Sequence, residues 1–170
     1  MPIFLTDMTQ NVAIEVELAL VINKPARHIN VNDALSCVAG YILANDIGDR
    51  DLEKRTSQWT SGKMFDSFTP MGPWLITKDE IPDPNALEMT SLVNGKVVQK
   101  GNTSEMFFNC SELISILSDL TTLYPGDVIL TGSTKSMDGI ANPTVSLTPG
   151  DTVSINIEGL GVLSNPVIKE

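Results

Sequence analysis

Aromatic side chains are scarce in this chain, 5% of 170 residues, so a core must be built mostly from aliphatic ones. There is one histidine, His28, and there are two cysteines, Cys37 and Cys110, with no Cys-x-x-Cys pair. That set cannot build a zinc site of the usual kind, and the two distant cysteines read as buried free thiols rather than a disulfide. Basic residues are also few: 11 Lys and Arg stand against 21 Asp and Glu, a formal net charge of -10, with no basic run. Nucleic acid and anionic membrane are therefore not expected as partners. No apolar stretch reaches membrane-spanning length, and the N-terminus lacks the basic-then-apolar pattern of a secretory signal, so a cytoplasmic protein is expected. The length suits a single domain, residues 1–170, with a proper core.

What the chain does have is acid in an apolar setting. Glu15 and Glu17 lie in the strand-like run Val12 to Ile22. Strand alternation sends residues i and i+2 to one face, at roughly 7 Å spacing. Two adjacent like charges are costly in such a segment unless the face is solvated or a hard cation sits between them. Oxygen ligands are what Mg2+, Mn2+ or Ca2+ prefer. Both explanations stand at this level.

Along the chain, Met1 to Gln10 reads as a lead-in and Val12 to Ile22 as a strand closed by Asn23-Lys-Pro25. Asn32 to Ala39 resembles a short helix capped by Asn30 or Asn32. The apolar stretch Val38 to Ile47 is broken by Asn45-Asp46, which makes its polar end a candidate site. Gly48 to Gly62 is charged and irregular, with room for one helical turn. Gly72 to Thr77 reads as a strand. Asn94-Gly95, between Glu88–Val93 and Lys96–Gln99, is a strong hairpin signal. Ser111 to Leu123 carries Leu113, Leu117 and Leu120 at helical spacing, with a capping box from Asn109 and Glu112. Strands follow Pro125-Gly-Asp127 and Pro149-Gly-Asp151, and a last one spans Gly161 to Ile168. Many strands with a few short helices indicate an α+β domain whose mixed sheet forms a roll or sandwich.

Seven words of this sequence, in order, resemble the fumarylacetoacetate hydrolase family: Val38 to Asp51, Gln58 to Asp66, Pro70 to Trp74, Val93-Asn-Gly95, Gln99 to Ser104, Pro125 to Gly132 and Ile157 to Gly161. The resemblance covers nearly everything from Glu15 onward, and its strength is the ordered co-occurrence. It implies the fold of that family, a homodimer, and an enzyme that uses Mg2+ or Mn2+ on a 2-oxo or β-diketo acid. It assigns the metal to Glu15, Glu17 and Asp46. Lys63 matches a lysine kept beside the metal, where it can stabilise an enolate oxygen. Arg50 and Ser133 match positions that hold the substrate carboxylate, although an arginine in so charged a stretch can equally make a structural salt bridge. Glu53 stands where relatives often carry glutamine, and Thr134 where proline is common.

Hydrolases and decarboxylases of the family typically carry a histidine and glutamate pair on a mobile N-terminal segment, and the short lead-in before Glu15 leaves little room for it. His28 reads as a surface loop residue. This shifts weight within the family, from hydrolysis of an acylpyruvate, which needs activated water, toward decarboxylation or isomerisation of an enol, which does not. A metal- and organic-acid-binding relative with weak catalysis, or a partner subunit, is the rival expectation.

Overall fold

The computed structural model describes residues 1–135 and 145–170. In chain order the strands are β1 (Ile3–Leu5), β2 (Val12–Ala13), β3 (Val16–Ile22), β4 (Val38–Asn45), β5 (Gly48–Asp49), β6 (Met71–Thr77), β7 (Glu88–Val93), β8 (Lys96–Asn102), β9 (Val128–Leu130), β10 (Thr152–Ile157) and β11 (Gly161–Lys169). The helices are α1 (Arg50–Glu53), α2 (Thr60–Lys63) and α3 (Cys110–Leu120), with 3-10 turns at Val31–Cys37 and Thr103–Glu105.

Two mixed or antiparallel sheets carry the core. One runs β6-β4-β3-β9 and the other β1-β11-β10-β7-β8; β2 and β5 form a small separate ladder. Leu18, Ala19, Leu20 and Ile22 of β3 are all buried, so this strand is apolar on both faces, as a strand enclosed by other layers must be. One contiguous cluster joins Leu18, Leu20 and Leu43 of the first sheet to Met89, Val153, Ile155 and Ile157 of the second. Aliphatic side chains dominate it, with Tyr41 and Phe68 the largest members. Cys37 and Cys110 are free and buried.

Several local expectations change. The lead-in is structural: β1 pairs in parallel with β11, and Ile3 is fully buried. The run Val12 to Ile22 is two strands, because β2 pairs with β5 while β3 pairs with β4. The helix after Asn30 is a 3-10 turn without a side-chain cap, and Gly48 to Gly62 holds two helical turns rather than one. The capping box of Asn109 and Glu112 is present, but α3 buries Cys110, Ile114 and Ser118, whereas Leu120 is 75% exposed. The buried stripe is thus rotated from the leucines that the spacing favoured.

Asp49 fixes the segment from which the site is built. Its Oδ1 accepts from the N–H groups of Asp51 and Leu52, capping α1, and its Oδ2 accepts from Gln10 and Asn11 in the lead-in. Burial favours the neutral acid, but these four donors outweigh it and hold the Asp49 pKa below its ordinary 3.8. The stabilisation is therefore complete above the ordinary carboxylate range and is lost as pH falls through the lowered value. Replacing Asp49 with Ala leaves four backbone donors without their acceptor, that of Leu52 buried and the others partly so, and we expect urea unfolding to report a loss of about 1–3 kcal/mol at pH 7. The deficit relative to wild type should shrink in strong acid.

Candidate functional site

Strand register builds the centre of the site. Val16 lies opposite Asn45 and Glu17 opposite Ala44, so the chain leaves the β3–β4 ladder with Glu15 beside Asp46. The Asp46 N–H donates to the Glu15 carbonyl at 2.9 Å, and the Asn45 side-chain oxygen accepts from the Glu15 N–H at 3.0 Å. Two sequence-distant acids are thereby locked at one end of a sheet. One carboxylate oxygen each from Glu15, Glu17 and Asp46 lies within 4.8 Å of the others. The solvated-face explanation fails for Glu17, which is only 4% exposed.

Lys63, at the end of α2, sits against this group. Its Nζ donates to Glu15 Oε2 at 2.6 Å, to Asp46 Oδ2 at 2.8 Å and to the Asp46 carbonyl at 3.0 Å. Burial alone would lower its pKa, but Asp46 and Glu15 outweigh burial and hold it above the ordinary lysine value. Lys63 is thus a fixed ammonium, a donor of hydrogen bonds rather than a base.

Arg50 is placed differently from the expectation that it grips a substrate carboxylate. Its guanidinium is 6% exposed and committed to protein acids: Nη2 donates to Glu15 Oε1, and Nη1 donates to both Glu53 oxygens. The helical i,i+3 spacing of Arg50 and Glu53 was a readable signal of that pairing. Glu53 is buried with it.

Ser133 lies at the other end, beyond Glu17. Gly132 adopts φ +96°, a conformation that favours glycine, and its N–H donates to Glu17 Oε2 at 2.7 Å. The exposed Ser133 hydroxyl accepts from Gln99 Nε2 at 3.0 Å. Gln99 is a site residue that sequence reasoning missed. Fully buried, it accepts from the Val16 N–H and the Ser91 hydroxyl and donates to Ser133 and the Thr134 carbonyl. The residue between the two glutamates is thereby tied to the loop that carries Ser133. Strand alternation concealed it, because a register shift in the β7–β8 ladder leaves both Val98 and Gln99 buried.

Asp46 and Lys63 open onto a cavity of about 550 Å3 lined also by Gln58, Trp59 and Met64. Ser133 lines a smaller cavity of about 140 Å3 with Gly132, Thr134 and Met106. The structure therefore joins Glu15, Glu17, Asp46 and Lys63 at one point, puts Arg50 behind it, and leaves Ser133 at its flank. His28 is elsewhere, paired with Asp119 on the surface. A donor set made only of carboxylate oxygens, with one acid buried, fits a hard divalent cation.

A family model described as the fumarylacetoacetate hydrolase C-terminal domain matches residues 1–168. The chain belongs to the fumarylacetoacetate hydrolase family. A mitochondrial oxaloacetate tautomerase of Homo sapiens is 46% identical over 168 residues, covering 98% of this chain and 54% of that protein. A 2,4-didehydro-3-deoxy-L-rhamnonate hydrolase of a Sphingomonas species is 46% identical over 149 residues, 86% of this chain and 52% of the relative. Among solved structures, a 5-carboxymethyl-2-hydroxymuconate delta-isomerase from Mycobacterium smegmatis superposes with TM-score 0.90 at 38% identity, over 100% of this chain and 64% of that one. This fumarylacetoacetate hydrolase family chain thus spans about half the length of the curated relatives it matches.

Burial, with the nearby Asp46 and Glu15 charges, pushes the Glu17 pKa up from 4.5 to about 7, against the opposing Gly132 N–H. Between these values the metal-free folded protein holds a proton that the unfolded chain has released, so this group's contribution to stability falls as pH rises through that window. A cation needs the ionised form. We therefore expect the rise in melting temperature produced by Mn2+ to be larger at pH 8 than at pH 6, with apparent affinity differing by about tenfold. In Glu17→Gln that pH dependence should flatten.

Proposed function

We propose that this chain carries the metal centre of a Mg2+- or Mn2+-dependent enzyme acting on a 2-oxo or β-diketo acid through its enol, by tautomerisation, decarboxylation or hydrolytic C–C cleavage. The observation that carries the reading is the Lys63 ammonium, held between Glu15 and Asp46, with Lys63 and Asp46 on the wall of an open cavity. Family membership and the names of the relatives, a tautomerase, an isomerase and a hydrolase, support it.

Glu15, Glu17 and Asp46 would hold the cation, which when bound supplies Lewis acidity to the oxygens of a chelating 2-oxo acid. The protein's own contribution is charge placed in advance. Lys63 lines the cavity with its three N–H groups on Glu15 and Asp46, and its positive charge, or one of those N–H groups once redirected, can stabilise an oxygen that becomes negative as the enol forms. Its raised pKa keeps that proton in place at neutral pH. The exposed Ser133 hydroxyl is available to a substrate carboxylate, whereas Arg50 acts on the site by fixing Glu15. The adjoining cavity, with Trp59 and Met64 on its wall, accommodates the rest of the acid. Met71, Trp74 and Leu75, exposed on the edge strand β6, support the homodimer that the family resemblance implies.

The test is turnover of oxaloacetate, followed both as enol–keto interconversion and as loss of CO2, and of acylpyruvates, with and without Mn2+. We expect metal-dependent conversion of at least one of them, and Lys63→Met to lower kcat by about 10²–10³-fold while Mn2+ still binds. Mn2+ binding with no conversion of any of these acids would favour the binding-only alternative.

A further inference from the structure

The Glu53 carboxylate touches neither cavity beside the centre, yet the fold is shaped around it. It is 6% exposed, takes hydrogen bonds of 3.0 and 2.9 Å from Arg50 Nη1, and lies 3.9 Å from Lys63 Nζ. Two glycines make its space. A Cβ on Gly48, in β5, would overlap the Glu53 carboxylate, and one on Gly62, in α2, would overlap its Cγ. A buried carboxylate is costly to keep, and one with no access to the cavity can act on the centre only through its neighbours.

Charge indicates what it does. Glu15, Glu17 and Asp46 present three carboxylates, and Lys63 and Arg50 answer two of them, which would leave a single negative charge for an incoming cation. Asp49, the next acid along, is occupied by four backbone N–H groups and faces the lead-in and α1. Glu53 supplies the missing charge by neutralising Arg50. We propose that Glu53 is a positioning residue that sets the electrostatic balance of the centre for a divalent ion, holding Arg50 against Glu15 without letting the guanidinium's charge count against the metal. This rests on the metal-centre reading given above.

Calorimetric titration with Mn2+ and with Tb3+ tests it. Glu53→Gln keeps the shape and one acceptor but removes the charge, and should weaken Mn2+ by about 10–100-fold. The loss, in logarithmic units, should be about one and a half times as large for Tb3+, because a charge effect scales with the charge of the ion. The Arg50→Gln, Glu53→Gln double variant returns the balance to its starting value and should regain most of the lost affinity. Mn2+ affinity of Glu53→Gln within about twofold of wild type, equal losses for the two ions, or a double variant no better than the single one would each overturn the proposal. If Glu53→Gln does not fold, the double variant decides: affinity near wild type supports the balance, and a 10–100-fold loss overturns it. Failure of the wild-type chain to bind Mn2+ would instead remove the metal centre itself.

Discussion

The structure of the site depends on one shared carboxylate. Glu15 leaves the β3–β4 ladder carrying a charge into a partly buried position, and both its oxygens are taken, one by Lys63 and one by Arg50. These cations come from two helical turns, α2 and α1, that converge on the end of a central strand. A buried charge stripped of its partners costs several kcal/mol, so the position of each helix is coupled to Glu15 and through it to the register of the sheet. The Asp49 cap then anchors α1 to the lead-in, which makes the N-terminal residues part of the same framework.

Around that carboxylate the site divides by chemistry. Asp46 and Lys63 face open space, where a ligand can reach them. Glu17 is turned inward and restrained by the Gly132 N–H, and Gln99 links the strand between the two glutamates to the Ser133 loop. The inward half sets geometry and proton affinity, and the outward half is the one an incoming ligand would reach. On the proposed function this separation would keep the orientation of the metal-holding carboxylates unchanged while a charged organic acid arrives and departs.

What could be read from the sequence follows the range of the interactions. The Asn94-Gly95 hairpin and the Asn109 and Glu112 capping box were legible because a few adjacent residues determine them. The Glu15, Glu17 and Asp46 group was legible through spacing and resemblance together, and the structure brings all three within reach of one ion. The pairing of β1 with β11 was hidden, since its partner lies at the other end of the chain. For Arg50 the salt-bridge alternative is the one the contacts favour: a motif gives a residue's neighbours in sequence, whereas its partners are Glu15 in another element and Glu53 beside it. Gln99 was masked by a local register shift that no periodicity rule anticipates.

The most direct measurement is anomalous diffraction from a crystal of the protein soaked in Mn2+ and oxalate. The account predicts one strong anomalous peak within coordinating distance, about 2.0–2.3 Å, of an oxygen from each of Glu15, Glu17 and Asp46, with oxalate oxygens completing the shell on the Lys63 side. A peak away from these three carboxylates, or no peak at saturating Mn2+, would contradict it.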